Sequence, residues 1–261
     1  MSPVITLTTD FGTRDPYVAA VKGVLFARAP GATIVDLSHD IEPHDVLEAA
    51  LFLAAAVPYF PAGTVHLAIV DPGVGSSRRP LAASIGEQLL VAPDNGLLTL
   101  LSDQRGASEA REIVHRAPPA DEIAPTFHGR DVFAPTAAAL ASGAALAGVG
   151  PPIPEPVRLD LPAPRAEGGV WMAQVIHVDR FGNAVTNVHR DLVGAARPRA
   201  VLTRTGQVVP FGRTYADVAV GAPLALMGSA GYLEVAVNQG RGDELLGLRR
   251  GDEVQVLLHV E

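Results

Sequence analysis

Residues 64–80, TVHLAIVDPGVGSSRRP, decide how this chain is read. Val65, Leu67, Ile69 and Val70 make a run short and apolar enough for a strand inside a sheet, and Asp71-Pro72-Gly73 stops it abruptly. A carboxylate therefore stands at the carboxyl end of a buried strand. Gly73 and Gly75 allow the backbone to bend close to a bound molecule, while Arg78 and Arg79 return positive charge to the same short loop. Opposite charges converging on a loop suit a ligand. Taken alone, they suit equally well a surface turn with a solvated arginine pair.

The same pattern recurs on both sides of that stretch. Residues 4–9, VITLTT, form a strand pattern ending at Asp10-Phe11-Gly12. A helix should follow, with Asp15 placed to cap it, Pro16 in its first turn, and Val18, Val21, Val24 and Leu25 at helical spacing up to Pro30-Gly31. Ile34-Val35 is a short strand. Asp45 with Glu48 three residues on has the form of a capping box opening a helix through Ala56, stopped by Pro58. Residues 81–85 and 89–92 pair as a hairpin about Gly86-Glu87, and the second runs into Pro93-Asp94-Asn95-Gly96. Strands separated by helices imply a mostly parallel sheet, whose ligands bind outside the carboxyl ends of its strands, where Asp10, Asp71 and Asp94 should cluster. Farther on, residues 126–135, TFHGRDVFAP, precede an Ala-rich helix ending near Gly143. His128 falls where loop passes into helix and Asp131 can help to cap. A single loop histidine is ordinarily a surface residue, and the charge density around this one argues for more.

Pro151, Pro152, Pro154, Pro156, Pro162 and Pro164 disfavour both helix and central strand, so residues 151–169 are expected to link two domains. The first, 1–150, is the α/β domain with the mostly parallel sheet. The second, 170–261, divides into short strand patterns at 170–179, 184–188, 200–203, 208–211, 223–227, 232–237 and 253–260, the spacing of a smaller antiparallel β-barrel or sandwich. Two of its turns, DRFGN at 179–183 and NQGRG at 238–242, suit hairpins by their Asn and Gly alone. Phe181 is less easily explained, because it would be an exposed aromatic unless something stacks on it.

Composition narrows the function. Of 261 residues 48% are hydrophobic, enough for a large core. The formal net charge of -8 argues against a nucleic-acid-coating surface. No cysteine is present, which excludes disulfides, thiolate nucleophiles and Cys-ligated metals. No apolar run reaches membrane-spanning length, and with no basic leader at the start a cytoplasmic location is expected. Asp10-Phe11-Gly12 matches a kinase triplet but has no nucleotide-binding lobe before it. Gly73-Val-Gly-Ser lacks the ending of a phosphate loop. His39, Glu42 and His44 could be taken for a metal cluster, yet Pro43 interrupts them and their spacing is not that of a helix face, so a polar loop before a helix describes them better.

Together, Thr8-Thr-Asp10-Phe-Gly12, Asp71-Pro-Gly-Val-Gly75 with Arg78, Pro93-Asp-Asn-Gly96, Thr126-Phe-His128-Gly-Arg-Asp131, Asp179-Arg-Phe-Gly-Asn183 and Ser229-Ala-Gly-Tyr-Leu-Glu234-Val-Ala-Val-Asn238 resemble the S-adenosyl-L-methionine hydroxide adenosyltransferases, the adenosine-forming hydrolases related to the fluorinase and chlorinase. The resemblance runs in order through nearly the whole chain. It implies an N-terminal α/β domain, a C-terminal β-barrel, and a homotrimer whose substrate sites lie between the N-terminal domain of one subunit and the C-terminal domain of the next. It implies further that Asp10 holds the ribose hydroxyls, that Asp71, Arg78 and His128 handle water, and that Asn183, Ser229, Glu234 and the backbone of Val237 line the adenosine and methionine pockets. Asp179 would meet the substrate ammonium, and Asp71 would also border the substrate. Phe181 and Asn238 match motif positions and are given only shaping roles. No inserted loop is evident in the N-terminal domain, and Arg78 with His128 favours water over halide.

The chemistry fits these residue types independently. A sulfonium leaves as a neutral thioether and needs no general acid, so the difficulty is to align and activate a weak nucleophile. An Arg cation with a paired His and Asp can do that, and a carboxylate-rich crevice favours a cationic substrate. No metal or other cofactor enters the scheme, S-adenosyl-L-methionine being the substrate. The alternatives are a chlorinase-like halogenase, a non-catalytic binding module for S-adenosylmethionine or a nucleoside, a methyltransferase, and a metal-dependent hydrolase built on His39, Glu42 and His44.

Overall fold

The computed structural model describes residues 2–114, 123–193 and 198–258, in two compact units, Met1–Leu159 and Asp160–Glu261. In the first, six strands form one sheet: β1 (Val4–Thr9), β2 (Thr33–Ser38), β3 (Val65–Ile69), β4 (Pro80–Ile85), β5 (Gln88–Pro93) and β6 (Ala107–Glu112), in the order β2-β1-β3-β5-β4-β6. The first four in that order run parallel, and β4 runs antiparallel to both of its neighbours, β5 and the edge strand β6. Every residue of β3 is buried, as expected where helices cover both faces of a parallel sheet.

Alternation along β3 assigns the two layers. Val65, Leu67 and Ile69 belong to the core shared with α1 (Tyr17–Arg28) and, past the helix at 99–105, with a further Ala-rich helix at 134–141. Ala68 and Val70 face the opposite core, with α2 (Val46–Ala56) and α3 (Thr99–Arg105). The Ala-rich helix, α4 (Ala134–Ala141), continues from a widened π-type turn, Gly129–Phe133. Two helix starts differ from expectation in detail. Asp45 accepts from the Glu48 N–H at 3.0 Å, but the Glu48 carboxylate reaches the Glu42 N–H instead of closing the box. At α1 the capping position is Pro16, without a side-chain cap. The sequence patterns assigned nothing to residues 99–112, which form α3 and β6.

Residues at 151–159 are tied to the first unit: Val157 N–H donates to Asp94, Leu159 N–H to Thr99, and Ile153 N–H to the Ala110 carbonyl. The second unit holds β7 (Arg165–Glu167), β8 (Val170–Val178), β9 (Ala184–His189), β10 (Pro198–Leu202), β11 (Val208–Pro210), β12 (Pro223–Met227), β13 (Tyr232–Val237) and β14 (Glu253–Leu258). Their order β11-β10-β14-β8-β9-β13-β12 is antiparallel throughout, and a bridge between Phe211 and Ala225 brings the two ends together into a nearly closed barrel. The expected end of the last strand, at 259–260, lies outside the described residues. Strand β7, inside the Pro-rich stretch, pairs with β8 and was not anticipated. Among the described residues no helix is long and apolar enough to cross a membrane.

His66 on β3 is completely buried, hydrogen-bonded through Nδ1 to the Thr6 hydroxyl at 2.8 Å and packed edge-on against Phe60. Burial pushes its pKa from 6.5 down to about 4. A base with a depressed folded pKa is neutral in the fold while the unfolded chain takes up the proton, so stability is lost as pH falls from 6.5 towards 4. The expected loss is up to about 3 kcal/mol from this group. Denaturant unfolding of the His66→Leu variant across that range should show a shallower pH slope than the parent chain; equal slopes would remove His66 as the cause.

Candidate active site

At the carboxyl ends of the adjacent strands β1 and β3, Asp10 and Asp71 border one cavity of about 530 Å³ together with His44, Phe127, His128 and Arg130. Asp94, which follows β5, does not join them. It is buried, holds Arg79 through an Nε hydrogen bond of 2.8 Å and accepts the Val157 N–H at 2.7 Å. The expected cluster of three aspartates is therefore two plus a structural anchor, because the loop after β3, through Arg79, and the 151–159 segment, through Val157, claim the third carboxylate.

Arg78 returns from the loop after β3 to meet Asp71 as a fork. Its Nε donates to Oδ1 at 2.8 Å and its Nη2 donates to Oδ2, with side chains only 9% and 7% exposed. The same Nη2 lies 3.0 Å from His128 Nδ1. A guanidinium offers donors only, so Nδ1 is the acceptor and the neutral ring carries its proton on Nε2. Burial and the Arg78 charge hold the His128 pKa below its ordinary value, against the opposing pull of Asp71 and Asp131. Arg78 Nη1 is buried and has no hydrogen-bond partner among the described residues, and the guanidinium carbon sits 5.1 Å from the centre of the Phe133 ring. The loop can take this path because Gly75 adopts φ +77°, where a Cβ would also press to 3.0 Å from the Pro125 carbonyl.

A second group of chemistry-bearing residues stands in the barrel unit. The Asp179 Oδ1 accepts from the N–H groups of Phe181 and Asn183 at 2.9 and 2.8 Å, and Oδ2 accepts from Asn183 Nδ2 at 2.9 Å. Asn183 is buried, and its Nδ2 also lies 3.5 Å from the Tyr215 hydroxyl, which in turn donates to Glu234. Burial, then the neighbouring Asp179 charge, push the Glu234 pKa up to about 7, with the Tyr215 hydrogen bond working against them. A Cβ at position 228 would collide with the Glu234 carboxyl, so Gly228 gives it room. Ser229 is exposed in the following turn. The Val237 carbonyl accepts from Gly240 N–H at 3.2 Å. Phe181 is 73% exposed, while Asn238 supports the barrel by donating to the Val218 carbonyl.

Tyr215 was missed by sequence reasoning. The Thr214 and Asp217 pair that caps its short helical turn has a visible signature, but the turn's position beside β13 depends on barrel register. His39, Glu42 and His44 form no metal centre: among the described residues no group of three or more His, Cys, Asp or Glu is arranged to hold an ion.

Family models match on both sides: SAM hydroxide adenosyltransferase N-terminal domain over residues 5–150 and SAM hydroxide adenosyltransferase C-terminal domain over residues 173–255. A protein of Thermus thermophilus named (R)-S-adenosyl-L-methionine hydrolase is 47% identical, covering 98% of this chain and 100% of the relative. A fluorinase from Actinoplanes is 33% identical over 91% of each chain. Among solved structures, an uncharacterized conserved protein from Thermotoga maritima aligns with TM-score 0.89 at 36% identity, covering 97% of this chain and 99% of that one.

The link between Asp179 and Glu234 is open to direct measurement. In the Asp179→Asn variant the carboxyl of Glu234 should titrate at a lower pH than in the parent chain, where it titrates near 7. Carboxyl-carbon NMR reads the shift, and an unmoved Glu234 titration would mean that burial alone sets it.

Proposed function

The chain belongs to the SAM hydroxide adenosyltransferase family, and from that premise we propose how it acts: it hydrolyses S-adenosyl-L-methionine to adenosine and L-methionine, with Asp71, Arg78 and His128 as the catalytic set. The observation that carries the assignment of those residues is the buried Asp71–Arg78 fork holding His128 beside a cavity whose other wall is Asp10. Water enters neutral and attacks the ribose C5′ from the side opposite sulfur. The new C5′–O bond forms as the C5′–S bond breaks, the sulfur keeps the bonding pair and departs as a neutral thioether, and the water passes one proton to the Asp71 carboxylate. Since Nδ1 of His128 is engaged by Arg78, the ring offers Nε2–H to orient the water, and Asp71 is the basic member of the set. Arg78 stabilises the developing hydroxide.

In the same proposal Asp10 binds the ribose hydroxyls, Asp179 meets the ammonium, and Asn183, Ser229, Glu234 and the backbone of Val237 surround adenosine and methionine. Tyr215 joins them through its contact with Glu234 and Asn183. The assembly is a homotrimer with each site shared between an N-terminal unit and the C-terminal unit of a neighbouring subunit, which explains why the two polar groups occur in separate units. The scheme uses neither metal nor cofactor, because a thioether needs no assistance to leave. A cytoplasmic site of action is part of this reading and suits a chain without disulfides. A non-catalytic binding module would have no use for a buried cation aimed at a histidine.

Reaction in oxygen-18-labelled water should place one heavy oxygen on C5′ of adenosine, and added chloride or fluoride should give no 5′-halo-5′-deoxyadenosine; label on methionine would overturn the scheme. Arg78→Ala or His128→Ala should lower kcat about a hundredfold with smaller change in KM, whereas Asp10→Ala should act mainly on KM. Because His128 is held below its ordinary 6.5, the acid limb of kcat/KM should fall below that pH. Mixing inactive Arg78→Ala subunits with inactive Asp179→Ala subunits should restore activity at about one quarter of the sites if sites are shared between subunits. No recovery after verified subunit exchange would place each site within one chain.

A further inference from the structure

The polar loop after β2, at 39–44, contains the residues that a metal reading would have used, and it does something different. It grips the turn that carries Asp10 at three points. The His39 carbonyl accepts the Gly12 N–H at 2.8 Å, the His44 N–H donates to Asp10 Oδ2 at 2.9 Å, and His39 Nδ1 lies 2.9 Å from the Thr9 hydroxyl. His44 makes its contact from φ +68°, a left-handed conformation uncommon for a residue with a side chain. Its own side chain is largely exposed, so the backbone carries the contact.

The side chain of His39 differs from that of His44: it is only 6% exposed. Its Nε2 lies 3.1 Å from Asp36 Oδ1, close but bent away from ideal hydrogen-bond geometry, and Asp36 Oδ2 accepts from Lys22 Nζ at 2.6 Å. Burial works to raise the Asp36 pKa, but the Lys22 hydrogen bond and the nearby His39 ring outweigh it, so this carboxyl is ionised. An anion on one side assigns the ring proton to Nε2 and leaves Nδ1 as the acceptor of the Thr9 O–H. The Thr9 oxygen is then free to accept the Phe11 N–H, 3.3 Å away. The hydrogen bonds Lys22–Asp36, His39–Thr9 and Thr9–Phe11 each have one donor and one acceptor, the His39–Asp36 step is a close electrostatic contact, and the residue between Thr9 and Phe11 is Asp10.

We propose that His39 is a positioning residue for the substrate site: through Thr9 and the Gly12 N–H it fixes the turn that aims the Asp10 carboxylate, and so governs how strongly the site requires a ribose diol. The inference rests on the reading of Asp10 as the ribose-binding group. It makes His39 neither a metal ligand nor a proton carrier.

The test compares adenosine with 2′-deoxyadenosine as inhibitors of the full-length enzyme, beside kcat and KM for S-adenosylmethionine. The parent enzyme should prefer adenosine by roughly ten- to a hundredfold, the value of a hydrogen bond to a charged acceptor. Asp10→Ala should abolish the preference. His39→Ala should reduce it to within about threefold and raise KM while kcat at saturation stays within about threefold, and His39→Asn, which keeps an acceptor near the Nδ1 position, should recover part of it. Thr9→Val breaks the same chain with little change of volume and should give the same narrowing even if His39→Ala folds poorly. A preference lost in Asp10→Ala but intact in folded His39→Ala or Thr9→Val would overturn the positioning role. A preference intact in Asp10→Ala would overturn the ribose reading itself, and the present inference with it.

Discussion

A guanidinium and a carboxylate, each less than a tenth exposed, cannot be left apart inside a protein. Removing one partner of such a pair costs about 3–5 kcal/mol because the other remains charged and buried. The Asp71–Arg78 fork is therefore the constraint around which the N-terminal site is arranged. To close it, the chain leaving β3 must turn back within seven residues, which the left-handed Gly75 permits. Once closed, the guanidinium has one face against Phe133 and one nitrogen at His128, so the arginine fixes the tautomer of the histidine as well as its place.

The barrel unit solves a different electrostatic problem. Asp179 is satisfied by two backbone N–H groups and the Asn183 amide, and its charge falls on the half-buried Glu234 beyond. A carboxyl titrating near neutrality is poised for a cation: an ammonium or sulfonium brought close stabilises the ionised form and pulls its pKa down again. Binding of a cation at such a group is accompanied by release of a proton, and the free protein is spared two adjacent full negative charges. One unit thus carries a balanced ion pair and the other an excess of acid.

Much of this was legible in the sequence, for identifiable reasons. Strand ends marked by Asp-Pro-Gly or Asp-Phe-Gly are local signals, and β1, β3 and the β4–β5 hairpin lie where the alternation of apolar runs and turn residues puts them. What stayed hidden depended on partners distant in sequence. Asp94 looks like Asp10 and Asp71 until the Val157 N–H and Arg79 are seen to occupy it. Strand β7 lies in a proline-rich segment whose composition argues against any strand, and it pairs with the start of β8, residues 170–172, where β9 does not reach. Tyr215 has no motif of its own. His39 was visible, but only the geometry of Thr9 and Asp36 separates a positioning side chain from a metal ligand.

In the proposed scheme the choice of nucleophile follows from the same buried fork. A halide arriving at Arg78 would have to give up its hydration for a cation already neutralised by Asp71, and it would carry its own charge against that carboxylate. In a site with side chains this buried the transfer is unfavourable, because neither partner offers an uncompensated positive charge in return. Water faces no such barrier. It enters neutral, places its hydrogens towards acceptors and its lone pairs towards donors, and acquires negative charge only as it loses a proton along the reaction path. In that scheme the Nη1 of Arg78, without a partner among the described residues, and the Nε2–H of His128 are donors suited to the developing charge, whereas the ion pair as a whole presents little net field to a free anion beforehand. In the proposed scheme a pre-neutralised arginine thus selects for a nucleophile whose charge is created in place.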